Sequence, residues 1–177
     1  MSSKKNIEAI AKRIRDIPNF PKKGIIFKDI TPVLSDIKTL RSSVKEMAAP
    51  YMNLRIDLVV GIESRGFIFG TPIADVLDCG FVPVRKPGKL PWKTQSVSYK
   101  LEYGTDALEI HEDAITKGQN VLIVDDLLAT GGTAEATCKL VSKLGGNIKG
   151  LSVLIELKDL NGRKRLNQYN VHSLVQY

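Results

Sequence analysis

The sequence predicts an α/β fold with a central, mainly parallel sheet flanked by helices. Short apolar runs at residues 56–61, 81–84, 121–124 and 151–157 read as strands, and 121–124, with no polar alternation, as one buried on both faces. Stretches between them carry apolar residues at helical spacing, and strands that alternate with helices of about ten residues imply a parallel sheet covered on both sides. The chain has 177 residues, 43% of them hydrophobic and 25% charged. At that length roughly 70% of the unfolded surface is buried. One core, and so a single domain over residues 1–177, is expected.

The elements follow in order. Ile7, Ile10, Ala11, Ile14 and Ile17 fall at helical spacing up to Pro18, which predicts a first helix. Residues 18–33 are punctuated by Pro and Gly around a short apolar piece, Ile25, Ile26 and Phe27. Residues 36–49 predict a helix that ends before Pro50. After the strand at 56–61, Gly70, Ile73, Ala74 and Leu77 form a helical face, with Gly80 expected as its cap. Residues 81–84 form the next strand and 86–96 a loop. Residues 96–101 and 108–110 pair as a hairpin around Tyr103, Gly104, Thr105 and Asp106. The strand at 121–124 precedes a helix with the stripe Ala134, Thr137, Cys138, Val141 and Leu144, closed by Gly145 and Gly146; residues 151–157 form the last strand read.

Composition excludes several classes. No apolar stretch approaches the ~20 residues of a membrane span, and the opening MSSKKNIEAIAKRIRD has no apolar core of a signal peptide. Collagen, mucin, coiled-coil and disordered chains are excluded too. Cys79 and Cys138 are far apart, with no CxxC or Cys/His cluster, so two reduced thiols and a cytoplasmic setting are expected. The net charge of +7 is unevenly spread. Residues 1–28 carry Lys4, Lys5, Lys12, Arg13, Arg15, Lys22, Lys23 and Lys28 against Glu8 and Asp16, which reads as a solvated face. Arg85, Lys86, Lys89, Lys93 and Lys100 have no acid among residues 85–100, and suit an anionic partner.

In parallel sheets ligands bind beyond the carboxyl ends of strands, which directs attention to the segments after Val60, Val84, Val124 and Ile155. Asp125 and Asp126 follow the apolar run 121–124. Two adjacent acids there are costly unless they meet a partner such as the vicinal hydroxyls of a ribose or a magnesium ion. Ala129, Thr130, Gly131, Gly132 and Thr133 then lead into a helix. Glycines let the backbone approach an anion, and the helix start adds N–H groups and positive potential. These features predict a loop for a sugar phosphate, with carboxylates for its hydroxyls. Neither GxxxxGK[ST] nor GxGxxG occurs. Near Ser64 the spacing to Gly61 does not fit GxSxG, and no triad His is evident, which leaves His111 and His172 as surface or packing residues. Arg65 beside Gly66 is an anion-site candidate.

VDDLLATGGTA (124–134) resembles the phosphoribosyl-pyrophosphate (PRPP) motif of type I phosphoribosyltransferases. GIESRGFIFG (61–70), PVRKPGKLP (83–91), YKLEYGTDALEI (99–110) and GIIFKDITP (24–32) resemble the adenine-specific branch of that family. The likeness runs in order along nearly the whole chain. It departs at Lys28, where the family often has Arg, and in the variable stretch Trp92, Lys93, Thr94 and Gln95.

The resemblance implies the type I phosphoribosyltransferase fold with a mobile hood loop and hairpin, a homodimer, and conversion of adenine and PRPP to AMP and pyrophosphate with Mg2+. Within one domain it implies a base-binding hood segment at 18–33 and a flexible catalytic loop and hairpin at 85–110. Asp125 and Asp126 would hold the ribose hydroxyls, and residues 129–133 the 5′-phosphate. Ser64, Arg65, Arg85, Lys86 and Lys89 would hold pyrophosphate, Arg65 also counting with the catalytic groups. Glu102 would be the general acid or base with Tyr103 closing the site, and Ile26, Phe27, Lys28 and Leu157 would lie near adenine. Magnesium would sit mostly on substrate oxygens and water, so no direct protein ligand is assigned. The resemblance further implies a non-proline cis peptide within Glu63, Ser64 and Arg65. The alternatives are a phosphoribosyltransferase for another base (hypoxanthine, guanine, xanthine, uracil or orotate) or a non-catalytic PRPP-responsive regulator. Neither nucleic acid nor membrane is expected as a partner.

Overall fold

The computed structural model describes residues 3–100 and 105–177. The chain divides between Glu46 and Met47 into two compact units. The first holds helix α1 (Ser3–Arg13), strands β1 (Arg15–Pro18) and β2 (Ile26–Asp29), the short helix α2 (Thr31–Leu34) and most of α3 (Ile37–Ala48). Here the predicted first helix is cut short. Ile14 and Ile17 keep helical spacing, yet β1 takes up residues 15–18, pairing antiparallel with β2 from Arg15↔Asp29 to Pro18↔Ile26. Ion pairs dress this unit, among them Arg13–Asp36, Arg15–Asp29 and Lys28–Asp16. The basic N-terminus is thus partly compensated at its surface.

The second unit is the sheet. Its elements are β3 (Leu58–Ile62), α4 (Gly66–Val76), β4 (Gly80–Val84), the hairpin β5 (Thr94–Lys100) and β6 (Thr105–His111), β7 (Asn120–Leu128), α5 (Gly132–Lys143), β8 (Asn147–Glu156) and β9 (Val171–Gln176). Five strands lie in the order β4-β3-β7-β8-β9, all pairings parallel. The predicted strands, hairpin and flanking helices are all present, with shifted ends. Gly80 does not cap α4; it opens β4 opposite Leu58, and Asp78 takes the left-handed conformation (φ 53°) instead. No counterpart of β9 was read from the sequence.

Strand alternation sorts the core. Leu58, Val60 and Ile62 of β3, Val121 and Ile123 of β7, and Leu151 and Val153 of β8 share one cluster with Ala136, Leu140 and Val141 of α5 and Leu108 and Ile110 of β6. The alternate residues Val59 and Leu122 are buried as well, and α4, with buried Phe69 and Ile73, packs on β3 and β7. Both faces of the central strands are therefore covered, which is why they read as unbroken apolar runs. Cys138 belongs to this core as a free thiol, its pKa pushed up to about 12 by burial; Cys79 is free too.

At Gly150 the fit is tight. A Cβ there would lie 2.7 Å from the hydroxyl of fully buried Tyr51 and 3.0 Å from the Asn170 carbonyl. That hydroxyl donates to the Leu151 carbonyl at 3.0 Å. Gly150→Ala must displace a ring held by packing and by a hydrogen bond, and overpacking of this kind costs about 1–3 kcal/mol. The expected result is a melting temperature lower by roughly 3–10 °C, measured by thermal denaturation; an unchanged Tm would show that the ring yields freely.

Candidate active site

The order β4-β3-β7-β8-β9 places a topological switch between β3 and β7: the chain leaves β3 towards β4 and returns on the other side. A crevice at the carboxyl ends of two such strands is where α/β sheets bind ligands. β3 and β7 pair only from Leu58↔Val121 to Gly61↔Val124, whereas β7 stays on β8 as far as Leu128↔Glu156. Asp125 and Asp126 are thus residues of β7 itself, at the point where it parts from β3. A cavity of about 410 Å3 opens there, within the usual range for small-molecule sites. Its lining comes from residues 62–65 at and after the end of β3, from residues 125–134 running from β7 into α5, and from Ile123, Leu151 and Val153.

Glu63 and Ser64 are joined by a cis peptide bond, as the resemblance implied. Arg65 then precedes α4, with its Nε 2.9 Å from Asp126 Oδ2, an ionic approach without hydrogen-bond geometry. Gly66 follows because the start of α4 comes hard against β7: a Cβ there would lie 2.8 Å from the Val124 carbonyl and 3.1 Å from Asp125 Oδ1. Asp126 is 4% exposed, and Asp125 is half-buried with Oδ1 accepting the Asp126 N–H at 2.8 Å. Burial raises the pKa of Asp125 well above the ordinary carboxylate range, and the neighbouring Asp126 charge adds to it. Burial also raises Asp126, against the pull of Arg65. The pair is therefore reluctant to carry two charges until a ligand offers hydroxyls or cations.

Residues 129–131 turn the chain into α5. Gly131 stands at φ 82°, a left-handed conformation that favours glycine, and is the N-cap, with Glu135 N–H donating to its carbonyl at 2.9 Å. The first-turn N–H groups of a helix have no intrahelical partner, so this end of α5 presents donors and positive potential to the cavity. Thr133 lies in the same wall, its hydroxyl 3.4 Å from that of Tyr99.

Three of the basic residues after β4, Arg85, Lys86 and Lys89, are met by acids from elsewhere in the chain. Glu63, its side chain 8% exposed, faces Arg85 Nε at 3.3 Å and Lys89 Nζ at 2.5 Å, and accepts the Lys86 N–H at 2.8 Å. Burial pushes its carboxyl up, but these three donors outweigh it and hold the pKa below the ordinary value. Lys86 Nζ pairs with Asp106 at 2.6 Å, and the Tyr99 hydroxyl donates to the same carboxylate at 3.3 Å. The Lys86 bond holds the Asp106 pKa down and, reciprocally, that of Lys86 up.

The cavity thus brings together Ser64, Arg65, Asp125, Asp126 and residues 129–133. Arg85, Lys86 and Lys89 do not line it; they join it through Glu63, which sequence reasoning missed. Its only sequence signal was an acid between an apolar strand and Ser64. Glu102 and Tyr103 lie outside the described residues. Ile26, Phe27 and Lys28 belong to the N-terminal unit, where Ile26 is 55% exposed and Phe27 meets the Phe20 ring edge to face at 5.2 Å. Leu157 follows β8, its N–H donating to the Leu128 carbonyl at 2.9 Å. His111 closes the hairpin opposite Thr94, with a buried Nε2, in line with a packing role. Among the described residues no group of three or more His, Cys, Asp or Glu side chains could cage a metal.

Residues 28–176 match the phosphoribosyl transferase domain family. The chain is 60% identical over 168 residues to the adenine phosphoribosyltransferase of Methanococcus vannielii, covering 95% of this chain and 97% of the relative. It is 56% identical to that of Halothermothrix orenii, covering 94% and 98%. The crystal structure of adenine phosphoribosyltransferase from Thermoanaerobacter pseudethanolicus superposes with a TM-score of 0.94 at 55% identity, covering 97% of this chain and 99% of that one. The Saccharomyces cerevisiae enzyme, solved with D-2,5-dideoxy-2,5-imino-altritol 1,6-bisphosphate and adenine, gives 0.92 at 39% identity, with coverages of 97% and 99%. The family match over residues 28–176 and the likeness to these enzymes over nearly the full length of both chains show that the chain belongs to the adenine phosphoribosyltransferase family.

Proposed function

We infer that this chain transfers the phosphoribosyl group of PRPP to adenine, forming AMP and releasing pyrophosphate. The observation that carries the reading is the cavity in which Asp125 and Asp126 stand between the start of α5 and Ser64–Arg65. A 5-phosphorylated ribose needs those three chemistries in that order. Donors at the α5 start hold the 5′-phosphate. Carboxylates accept the ribose hydroxyls and favour the positive charge that grows on the sugar as the C1–oxygen bond breaks. Cations hold the leaving pyrophosphate as its negative charge grows; Arg65 is nearest, and Arg85, Lys86 and Lys89 are reached through residues 63–64.

Glu102 serves as general acid or base on the purine and Tyr103 helps to close the site. Magnesium would neutralise charge on the PRPP diphosphate and would be held mostly by substrate oxygens and water, beside Asp125 and Asp126, one of which already faces Arg65. Adenine is read by the segment 24–28, and Leu157 is proposed as a further contact. Strand β2 is paired on one side only among the described residues. Backbone groups of residues two apart point to the same edge of a strand, so a carbonyl at Ile26 and an N–H at Lys28 match the N6 donor and N1 acceptor of adenine. With this reading go one functional domain over 1–177, with its hood at 18–33 and its catalytic loop and hairpin at 85–110, a homodimer, and a cytoplasmic setting. Among the described residues no helix is long and apolar enough to cross a membrane.

The reading is tested by kcat/KM for adenine, hypoxanthine, guanine and uracil with saturating PRPP and magnesium. Hypoxanthine reverses both hydrogen bonds, and each mismatched buried polar group costs about 1–3 kcal/mol. Adenine should be preferred by roughly 30-fold to 10⁴-fold, with AMP as product. Equal use of another base would overturn the base assignment, and no nucleotide from any of them the whole reading.

Asp125→Asn separates catalysis from stability. Folding already disfavours a charge at this position, and the amide oxygen still accepts the Asp126 N–H. Thermal unfolding should therefore occur at the same temperature or higher, while kcat/KM falls about 10²- to 10³-fold. A variant that kept its activity would remove Asp125 from the mechanism. Glu102→Ala should lose about 10²- to 10⁴-fold in kcat, the usual value of general acid–base help, with Tm barely moved. Near wild-type turnover would make Glu102 a bystander.

A further inference from the structure

The proposed reaction uses the face of the 129–133 loop that fronts the cavity, whereas the back of that loop rests on residues no step has used. Gly162 lies directly behind it. A Cβ at Gly162 would run into the Ala129 carbonyl and lie 3.1 Å from Gly131 N; a Cβ at Gly131 would lie 2.6 Å from the Gly162 carbonyl. The two backbones touch with no side chain between them, so any shift of Gly162 is passed to the turn that aims the first N–H groups of α5.

Gly162 is itself held by its neighbour. Arg163 grips Glu156 with both arms of its guanidinium, Nε to Oε1 at 2.6 Å and Nη2 to Oε2 at 2.7 Å, and its Nη1 donates to the Val171 carbonyl at 2.7 Å. Glu156 ends β8, is 4% exposed, and also accepts from Ser173 Oγ at 2.7 Å and Gln176 Nε2 at 3.3 Å. Bidentate charge-assisted bonds are the most directional that side chains make, and here they fix a residue of the short 3-10 helix Gly162–Leu166. Neither partner lines the cavity. Glu156 is buried but the Arg163 side chain is 43% exposed, and a half-exposed ion pair is weak evidence for stability, so its placement behind the loop calls for another account.

We propose that Glu156 and Arg163 are positioning residues for phosphoribosyl transfer: their paired grip seats Gly162 against the 129–131 turn and so sets the aim of the N–H groups that receive the 5′-phosphate. This rests on the reading of that loop as the phosphate site.

The test compares the full-length wild type with Arg163→Lys, which keeps the charge and loses the fork, and with Gly162→Ala, which pushes the turn directly. Ribose 5-phosphate binding is measured by calorimetry, and KM for PRPP and for adenine by initial rates, on protein shown to be folded by circular dichroism. Misplacing a binding group by about 1 Å can cost on the order of 10²-fold. Both variants should therefore weaken ribose 5-phosphate and raise KM for PRPP by about 10- to 100-fold, with KM for adenine within about 3-fold of wild type. Should Arg163→Lys not fold, Ser173→Ala, which removes a bond to Glu156 and the one that Ser173 Oγ accepts from Arg163 Nη2 at 3.0 Å, should give the same pattern at about 2- to 10-fold. A lower Tm with ribose 5-phosphate affinity and PRPP KM unchanged would make the pair structural and overturn the proposal. Failure of the wild type to bind ribose 5-phosphate would instead overturn the phosphate-site reading.

Discussion

Two carboxylates side by side, one of them 4% exposed, impose the heaviest electrostatic demand on this structure. Asp125 and Asp126 each lose hydration on folding and each raises the cost of charging the other. Arg65, 2.9 Å from Asp126, is the cation that relieves it, and the Asp126 N–H donates to Asp125 Oδ1. Arg65 sits at the end of β3 and the pair sits on β7, so the relief exists only because these strands are neighbours whose pairing stops at Gly61↔Val124. The switch in strand order, the parting of β3 from β7 and the ion pair are thus three aspects of one constraint.

Close backbone approach is the second half of that constraint. Gly66 lets the start of α4 meet the Val124 carbonyl, and Gly131 with Gly162 lets the loop before α5 rest on the turn that follows β8. A helix start can offer its N–H groups to a ligand only if the loop before it is held without side chains in the way. The glycines supply the space, while the Glu156–Arg163 pair supplies the fixed backing on the far side. Local sequence would give the loop freedom; partners about thirty residues downstream remove it.

What could be read from the sequence follows the same division between local and distant. Strands buried on both faces and the helices between them were legible because burial writes itself into unbroken apolar runs, as in β7, and into stripes, as in α5. The acid pair and the residues 129–133 were legible because their chemistry is contiguous. β1 was hidden: Ile14 and Ile17 continue the spacing of Ile7 and Ile10, and only pairing with β2 ends the helix at Arg13. Gly80 misled because a glycine after a helical stripe usually caps it, whereas here Asp78 takes the left-handed turn and Gly80 lies against Leu58. β9 was missed because its register against β8 is a tertiary fact. Glu63 and Glu156 were missed for a related reason, since a lone acid at a strand end shows its purpose only when its cations arrive from other segments.

Those cations also change the meaning of the basic stretch at 85–100. In sequence it is a run of positive charge without an acid. In the fold Arg85 and Lys89 share Glu63, and Lys86 has Asp106, so part of the patch is already paired before any ligand comes. Under the proposed reaction, pyrophosphate would compete with internal carboxylates rather than fall into an empty field. The two anchors differ. The Lys86 side chain is about half exposed at its pair with Asp106, and exposed pairs are worth at most about 1 kcal/mol. Glu63 is buried and also bonded to the backbone N–H of Lys86, so withdrawing its cations would strand a buried charge, which is far more costly than parting an exposed pair. The geometry therefore assigns unequal freedom to these cations: Lys86 can turn to a new anion at little cost, while Arg85 and Lys89 are tethered to the segment that carries Ser64 and Arg65.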